Sequence, residues 1–340
     1  MSDRYVRQRI LPEIGPEGQR RLAGSRAVVV GCGALGSFQA QLLARAGVGR
    51  LTVVDRDFVE RSNLQRQVLF TDADAEAAIP KAVAAERAIA SINPEIEVEG
   101  VVEDLNSITA EDLLAGADVV CDGTDNFETR YLINDWTVRE GIPWVYAGVI
   151  GTGGLILPIL PGETPCLRCV FETTPPVGSL ATCETAGVLG PAVSVVAGIQ
   201  TVETVKLLVD ARDKVLRGLL RYDAWEASFT TVATGGPRPD CPVCVERDFA
   251  WLEGRRGSTS ARLCGRDAIQ LLPLEAGAPP PLRTLAARLG GEWEVSVNDH
   301  LLRARRDGMT VHLFRDGRVI VDGTTDEAEA RSLAARVLGT

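Results

Sequence analysis

Three groups of residues in the sequence have the types and spacing to do chemistry. The first is the loop Gly31-Cys32-Gly33-Ala34-Leu35-Gly36, a GxGxxG pattern. Glycines let a ligand come close to the backbone, and the N–H groups that open a following helix meet phosphate oxygens. Asp55 stands 19 residues beyond Gly36, where a strand-end carboxylate meets ribose hydroxyls. Together these predict an adenine nucleotide in a crevice, with NAD as the default. The second group overturns that default. Asn63-Leu64-Gln65-Arg66-Gln67 follows the acid, Lys81 opens the next predicted helix, and Asp125-Asn126 and Arg130 follow a later strand. Hydride transfer has no use for cations and an acid beside the phosphates, whereas a site that neutralises a triphosphate and holds Mg²⁺ needs them. Singly, each residue reads equally well as a surface ion pair, with Asp125 as a helix cap. Their joint placement at the ends of successive strands favours the nucleotide reading.

The third group is sulfur. Cys166-x-x-Cys169 and Cys241-x-x-Cys244 lie in turn-like contexts and supply four thiolates, enough for a closed tetrahedral Zn²⁺ site. With 71 residues between the pairs, the metal would clip two distant segments together. A closed site has no open position, so its role is stability; redox dithiols or a coincidence of spacing are the alternatives. Cys183, in the polar loop 181–187, reads from its neighbours as a passive thiol in preference to a nucleophile. Cys32 and Cys121 read as packing residues, and Cys264 suggests no role.

The elements that must carry these residues follow from hydrophobic patterning. Strands are expected at 26–31 and 50–55 around a helix running to about Gly47, a βαβ unit of the dinucleotide-binding kind. A polar loop at 56–79 precedes a helix at 81–92. Strands near 96–102, 117–121 and 143–149 alternate with helices near 110–115 and 126–140. Residues 151–160 and 217–232 read as strands extending the sheet, and 190–209 as a helix. This alternation predicts an α/β fold, a Rossmann-like doubly wound, mostly parallel sheet with a zinc-clipped extension. Composition changes after Cys244. A strand patch at 267–272, a helix at 282–289, strands near 293–297, 300–306, 309–314 and 317–321, and a helix at 326–338 predict a small C-terminal α+β domain. Asp307-Gly308 and Asp316-Gly317 are hairpin signals. The expected domains are residues 1–250 and 255–340.

Composition removes several function classes. The chain has 340 residues, 45% of them hydrophobic, and a net charge of −10. That acidity argues against a nucleic-acid or anionic-membrane surface, and residues 251–340, with 13 Arg against 12 acidic residues, are no basic arm. Against 8 cysteines there are only 2 histidines, His300 and His312, so imidazole chemistry is excluded from the first 299 residues. The start MSDRYVRQRI has no signal-type apolar run, and no apolar stretch approaches the roughly 18–20 residues of a membrane span. A cytoplasmic chain with reduced thiols is expected.

In this order the motifs RYVRQ (4–8), GCGALG (31–36), VDRDFVERSNLQRQ (54–67), PKA (80–82), DGTDNFETR (122–130), GETPCLRC (162–169), TCETAGVLGP (182–191) and CPVC (241–244) resemble the ThiF/MoeB family, relatives of the ubiquitin-activating enzymes. The resemblance covers residues 1–250. It implies ATP- and Mg²⁺-dependent adenylation of the C-terminal Gly-Gly carboxylate of a ubiquitin-like sulfur-carrier protein, before sulfur transfer gives a thiocarboxylate. By position it implies that Gly31, Gly33 and Gly36 lie against the nucleotide, that Asp55 binds the ribose, and that Asn63, Arg66 and Lys81 hold phosphates. Asp57, Gln67 and Asn126 belong to the same nucleotide site. Asp125 organises Mg²⁺, and Arg7 reaches the partner subunit's site in a homodimer. Cys183 matches a cysteine that links covalently to the carrier, and the four CxxC cysteines match zinc ligands. The family's rhodanese domain has no counterpart in residues 255–340, so a separate persulfide donor is expected. The alternatives are an adenylating enzyme acting on a peptide in a biosynthetic cluster, or a tRNA-modifying relative. An NAD oxidoreductase and an inactive scaffold fit the motifs less well.

Overall fold

A computed structural model of the chain describes residues 3–173, 185–256, 260–262, 268–271, 281–315 and 317–339. Cys183 and Cys264 lie outside the described residues, as does Asp316 of the second hairpin signal. The chain forms two compact units, Met1–Arg256 and Gly257–Thr340.

The first unit is built on one eight-stranded sheet. Its strands are β1 (Arg26–Val30), β2 (Arg50–Val54), β3 (Glu97–Val101), β4 (Val119–Asp122), β5 (Trp144–Ile150), β6 (Gly153–Ile159), β7 (Leu219–Asp223) and β8 (Ser228–Val232), in the order β3-β2-β1-β4-β5-β6-β7-β8. The first five pair in parallel, and β6, β7 and β8 add on antiparallel. After β3 the chain crosses back over β1 to lay down β4. The sheet therefore has its switch point between β1 and β4, where doubly wound sheets bind ligands.

Period-2 alternation in β1 splits the core into two layers. Ala27 and Val29 face a layer formed by the helices Ala34–Ala46, Lys81–Ile92 and Gly190–Leu208. Val28 and Val30 face a layer formed by the helices Ala110–Leu114 and Phe127–Glu140 and by the four cysteines of the CxxC pairs. A strand buried on both faces reads as an unbroken apolar run, which is why RAVVV and RLTVV are legible as strands.

Four differences from the sequence expectations have physical causes. The loop 56–79 holds a 3₁₀ turn at Arg61–Asn63 and a short helix at Asp72–Glu76, the latter started by a Thr71/Asp74 capping box. Residues 217–232 are a hairpin of two strands, not one. The helix Gly15–Gly24 was hidden in the polar start, where only Gly18, Gln19 and Leu22 are buried. Lastly, Gly190–Leu208 is 19 residues long and apolar enough to span a membrane by length and composition, contrary to the expectation that no stretch approached that length. Its apolarity comes from burial on two sides, against β5, β6 and the helix Ala34–Ala46. It also carries Gln200, Glu203 and Thr204 inside the core.

The second unit is an antiparallel sheet, β11-β12-β13-β14-β10-β9, made of β9 (Ser260–Arg262), β10 (Ala268–Leu271), β11 (Glu294–Val297), β12 (Leu301–Arg306), β13 (Met309–Phe314) and β14 (Val319–Asp322). The helices Leu282–Leu289 and Glu327–Leu338 cover the face that carries Leu302, Val311, Leu313 and Val321. The β12–β13 turn places Asp307 and Gly308 at φ 51° and 83°, as its sequence signal requires.

One carboxylate in the core is set to respond to pH. Asp135, on the helix Phe127–Glu140, accepts the N–H groups of Trp251 at 2.9 Å and Leu252 at 3.4 Å. Burial pushes its carboxyl up to about 7, and those two N–H bonds only partly oppose it. In the unfolded chain an aspartate titrates near 3.9. Between about pH 4 and 7 the folded state therefore keeps a proton that the unfolded state releases, and stability falls as pH rises through that window. The Asp135→Asn protein should lose this slope: its thermal midpoint should vary less between pH 4.5 and 7.5 than that of the parent, as read by circular dichroism.

Candidate active site

The glycine loop is shaped by backbone crowding. Gly31 has φ +83°, and a Cβ on it would lie 2.8 Å from the Gly123 carbonyl oxygen. A Cβ on Gly36 or Gly123 would fall 1.8 or 2.2 Å from the Gly31 oxygen. The ends of β1 and β4 and the start of the helix Ala34–Ala46 thus meet backbone to backbone. Gly33 is different. A Cβ there meets nothing nearer than Gln67 Nε2 and Gly123 O, both at 3.9 Å, and its φ is −79°. The space around Gly33 would admit a methyl group, and only its ψ of −143°, beyond the usual extended range, favours glycine there.

Asp55, 9% exposed, accepts the Cys32 N–H at 2.6 Å with Oδ2 and the Asp57 N–H at 2.7 Å with Oδ1. It ties the end of β2 to the glycine loop and keeps a lone pair on each oxygen. Burial pushes this carboxyl up, and the Lys81 ammonium opposes the shift. Lys81, also buried, lies 3.2 Å from Asp57 Oδ2, so its charge is held at the ends of β1 and β2. Asn63, buried, caps the Arg61–Asn63 turn by accepting the Glu60 N–H at 3.1 Å. The same turn places Gln67, 4% exposed, over Gly33, with its Oε1 unpaired. Arg66 donates to the Ser62 carbonyl at 2.8 Å and has no carboxylate partner among the described residues. Arg56 lies among acids: burial pushes its guanidinium down, and Asp104, Asp57, Asp125 and Asp55 outweigh that and hold it above its ordinary value.

Across the switch point, the cap that sequence reading offered to Asp125 belongs to its neighbour. Asn126 Oδ1 accepts the Thr129 N–H at 2.9 Å and starts the helix Phe127–Glu140. Asp125 is exposed, and its carboxylate has no hydrogen-bond partner among the described residues. Arg130, read from sequence as a cation near phosphate, is buried and committed elsewhere: its Nε faces Asp122 Oδ2 at 3.0 Å. Asp122, Gln39 and Gln200, all fully buried, were not singled out from sequence. The signal available for the glutamines was a polar residue on an apolar helix face.

Arg7 is not at this site within one chain. Its helix, Val6–Arg9, is anchored where Gln8 Nε2 donates to the Ala46 carbonyl at 2.9 Å and Asn93 Nδ2 donates to Tyr5 Oη at 2.7 Å. That is the far end of the 13-residue helix Ala34–Ala46, about 20 Å from the glycine loop at 1.5 Å per residue. A groove of about 590 Å³ at that end, lined by Tyr5, Arg20, Arg50 and Glu95, contains none of the predicted site residues. Cys183 lies outside the described residues. The stretch that follows it is tied to the sheet, with Leu189 N–H donating to the Gly151 carbonyl at 2.8 Å, and Gly190 faces Gln65 and Arg66.

The four CxxC cysteines converge. Cys166–Cys169, Cys166–Cys241 and Cys169–Cys244 have sulfur separations of 3.8, 3.7 and 3.7 Å, and all four sulfurs lie within 4.8 Å of one another. A tetrahedron with Zn–S bonds of about 2.3 Å has edges near 3.8 Å, so the set fits that ion.

Comparison with known proteins finds a matching family and relatives over most of the chain. The ThiF family model matches residues 5–243. The chain is 41% identical to the Bacillus subtilis sulfur carrier protein ThiS adenylyltransferase over 100% of both chains. It is 46% identical to the Haloferax volcanii SAMP-activating enzyme E1, over 72% of this chain and 89% of that one. A crystal structure of E. coli MccB with succinimide superposes with a TM-score of 0.63 at 23% identity, over 72% of this chain and 75% of that one, a likeness of fold.

Because Gly33 has room for a methyl group, Gly33→Ala should still fold, less stable than the parent by no more than the backbone cost of its ψ, about 1–3 kcal/mol. If a nucleotide lies on this loop, the affinity of Gly33→Ala for ATP should fall about tenfold or more, as measured by calorimetry. A large loss of thermal stability would place the constraint inside the protein instead.

Proposed function

The chain belongs to the ThiF family, and on that premise we propose that it adenylates the C-terminal glycine carboxylate of a ubiquitin-like sulfur-carrier protein of the ThiS or MoaD type. The observation that carries the reading is the match to a sulfur-carrier adenylyltransferase over the whole of both chains, residues 255–340 included. The site supports it: cations, acids and the glycine loop that opens a helix meet at the switch point, and no histidine is among them.

A carboxylate is a poor electrophile. When one of its oxygens attacks the α-phosphorus of ATP, the bond to the bridging oxygen breaks and pyrophosphate leaves; the carboxyl carbon then carries AMP as a good leaving group. No proton need be moved, so the protein's task is positioning and neutralisation of charge. In this reading the loop Gly31–Gly36 lies along the nucleotide, Asp55 accepts from the ribose, and Asn63, Arg66, Gln67 and Lys81 face the phosphates. Asp57 holds the Lys81 ammonium in place. Asp125, whose carboxylate accepts no hydrogen bond among the described residues, would hold Mg²⁺, whose charge offsets that of the leaving pyrophosphate, and Asn126 beside it belongs to the nucleotide site. Arg7, too distant to serve its own chain, completes the site of a second subunit in a homodimer. Cys183 would accept the carrier's acyl group, and a separate persulfide donor would supply the sulfur. The four clustered thiolates would hold a structural Zn²⁺.

A carrier ending in Gly-Gly should stimulate ATP–pyrophosphate exchange; no stimulation by any such carrier would sink the proposal. Lys81→Ala should lower exchange by about 100-fold or more. Mixing inactive Arg7→Ala and Lys81→Ala proteins and allowing subunits to exchange should restore about a quarter of the parental activity, because each mixed dimer has one intact site. No recovery would mean that Arg7 does not act across subunits. Elemental analysis should find one zinc per chain, lost in Cys241→Ser together with thermal stability.

A further inference from the structure

The ion pair Asp122–Arg130 is buried, close to the nucleotide crevice, and unused by the reaction described above. Asp122 ends β4. Its Oδ1 accepts from both the backbone N–H and the Oγ1 hydroxyl of Thr124, at 2.8 and 2.7 Å, and its Oδ2 faces Arg130 Nε. Arg130 Nη2 donates to the Thr124 carbonyl at 2.7 Å and to the Ala147 carbonyl at 3.0 Å. The guanidinium packs on the rings of Phe127 and Tyr146, with centroids at 5.5 and 5.1 Å. Behind the pair, Gln39 and Gln200 both donate to the Asp122 carbonyl, at 3.0 and 2.8 Å.

The target of these bonds is one residue. Thr124 is held by its N–H, its hydroxyl and its carbonyl, and two residues later Asn126 is fixed as a helix cap. Asp125 stands between two pinned neighbours, and its carboxylate is left out of the network. A buried ion pair adds little net stability over an apolar pair of similar shape, but it does fix direction. We propose that Asp122 and Arg130 are positioning residues for Asp125: they pre-set its backbone so that its carboxylate meets the nucleotide-bound Mg²⁺ without further ordering, and they thereby set the metal requirement of nucleotide binding. This rests on the assignment of Asp125 to Mg²⁺ given above.

The test uses the full-length protein and the non-hydrolysable analogue α,β-methylene-ATP, with binding measured by calorimetry in EDTA and across a Mg²⁺ titration. The double variant Asp122→Asn/Arg130→Met removes both buried charges and leaves neither alone in the core. It should bind the analogue in EDTA as the parent does, yet need about tenfold more Mg²⁺ for the same enhancement. If the double variant fails to fold, Arg130→Lys keeps the charge but cannot make the three bonds together, and it should show the same displacement. In an Asp125→Ala background either change should have no further effect on the Mg²⁺ requirement, which loss of stability alone would not produce. A folded variant with an unchanged Mg²⁺ requirement overturns the proposal, as does a parent protein whose binding ignores Mg²⁺. Absence of carrier-dependent exchange alongside normal Mg²⁺-dependent binding would overturn the assigned substrate and leave this inference standing.

Discussion

The crowding of Gly31, Gly36 and Gly123 is the constraint on which the rest of the site depends. The carbonyl oxygen of Gly31 occupies the space that a Cβ on either of the other two would need. Only three bare backbones can meet there, so the ends of β1 and β4 and the start of the helix Ala34–Ala46 are brought together by the absence of side chains. Six charged residues flank that junction: Asp55, Asp57 and Lys81 on the β2 side, Asp122, Arg130 and Asp125 on the β4 side. A single methyl group at the junction would separate the two halves.

Around the junction, buried charge and exposed charge have divided tasks. The pair Asp122–Arg130 is buried and the pair Asp57–Lys81 half-buried, each ion-paired, and they orient loops. Arg66 and Asp125 have no opposite charge bonded to them among the described residues. On the proposed function, groups held in place before a polyphosphate and its cation arrive would lose little of the binding free energy to ordering.

Much of this was legible in the sequence. Glycine spacing, the strand-end acid and the CxxC pairs are local signals, and each turned up on the element expected of it. What could not be read depends on contacts distant in sequence. Asp125 and Asn126 are adjacent and both are good caps, and only the path of the helix decides that Asn126 takes the role. Arg130 looks like a free cation until Ala147 and Tyr146 close over it. Gln39 and Gln200 are 161 positions apart and meet only because both of their helices cross the end of β4. The start of the chain reads as polar because the helix Gly15–Gly24 buries just three residues.

The apolar helix Gly190–Leu208 bears on how the chain assembles as it is made. A segment that greasy, released alone into water, would invite aggregation or capture by hydrophobic surfaces. Its two docking partners, the β5–β6 pair and the helix Ala34–Ala46, all lie earlier in the chain. When residue 190 leaves the ribosome, most of the surface that will cover it has already been synthesised, and only the segment around residues 215–222 is still to come. The amides and hydroxyls of Gln200, Thr201 and Thr204 then find carbonyls waiting within reach or inside their own helix. Gene order thus shields the most exposed liability of the unfinished chain, and a circular permutant that began at this helix would forfeit that protection.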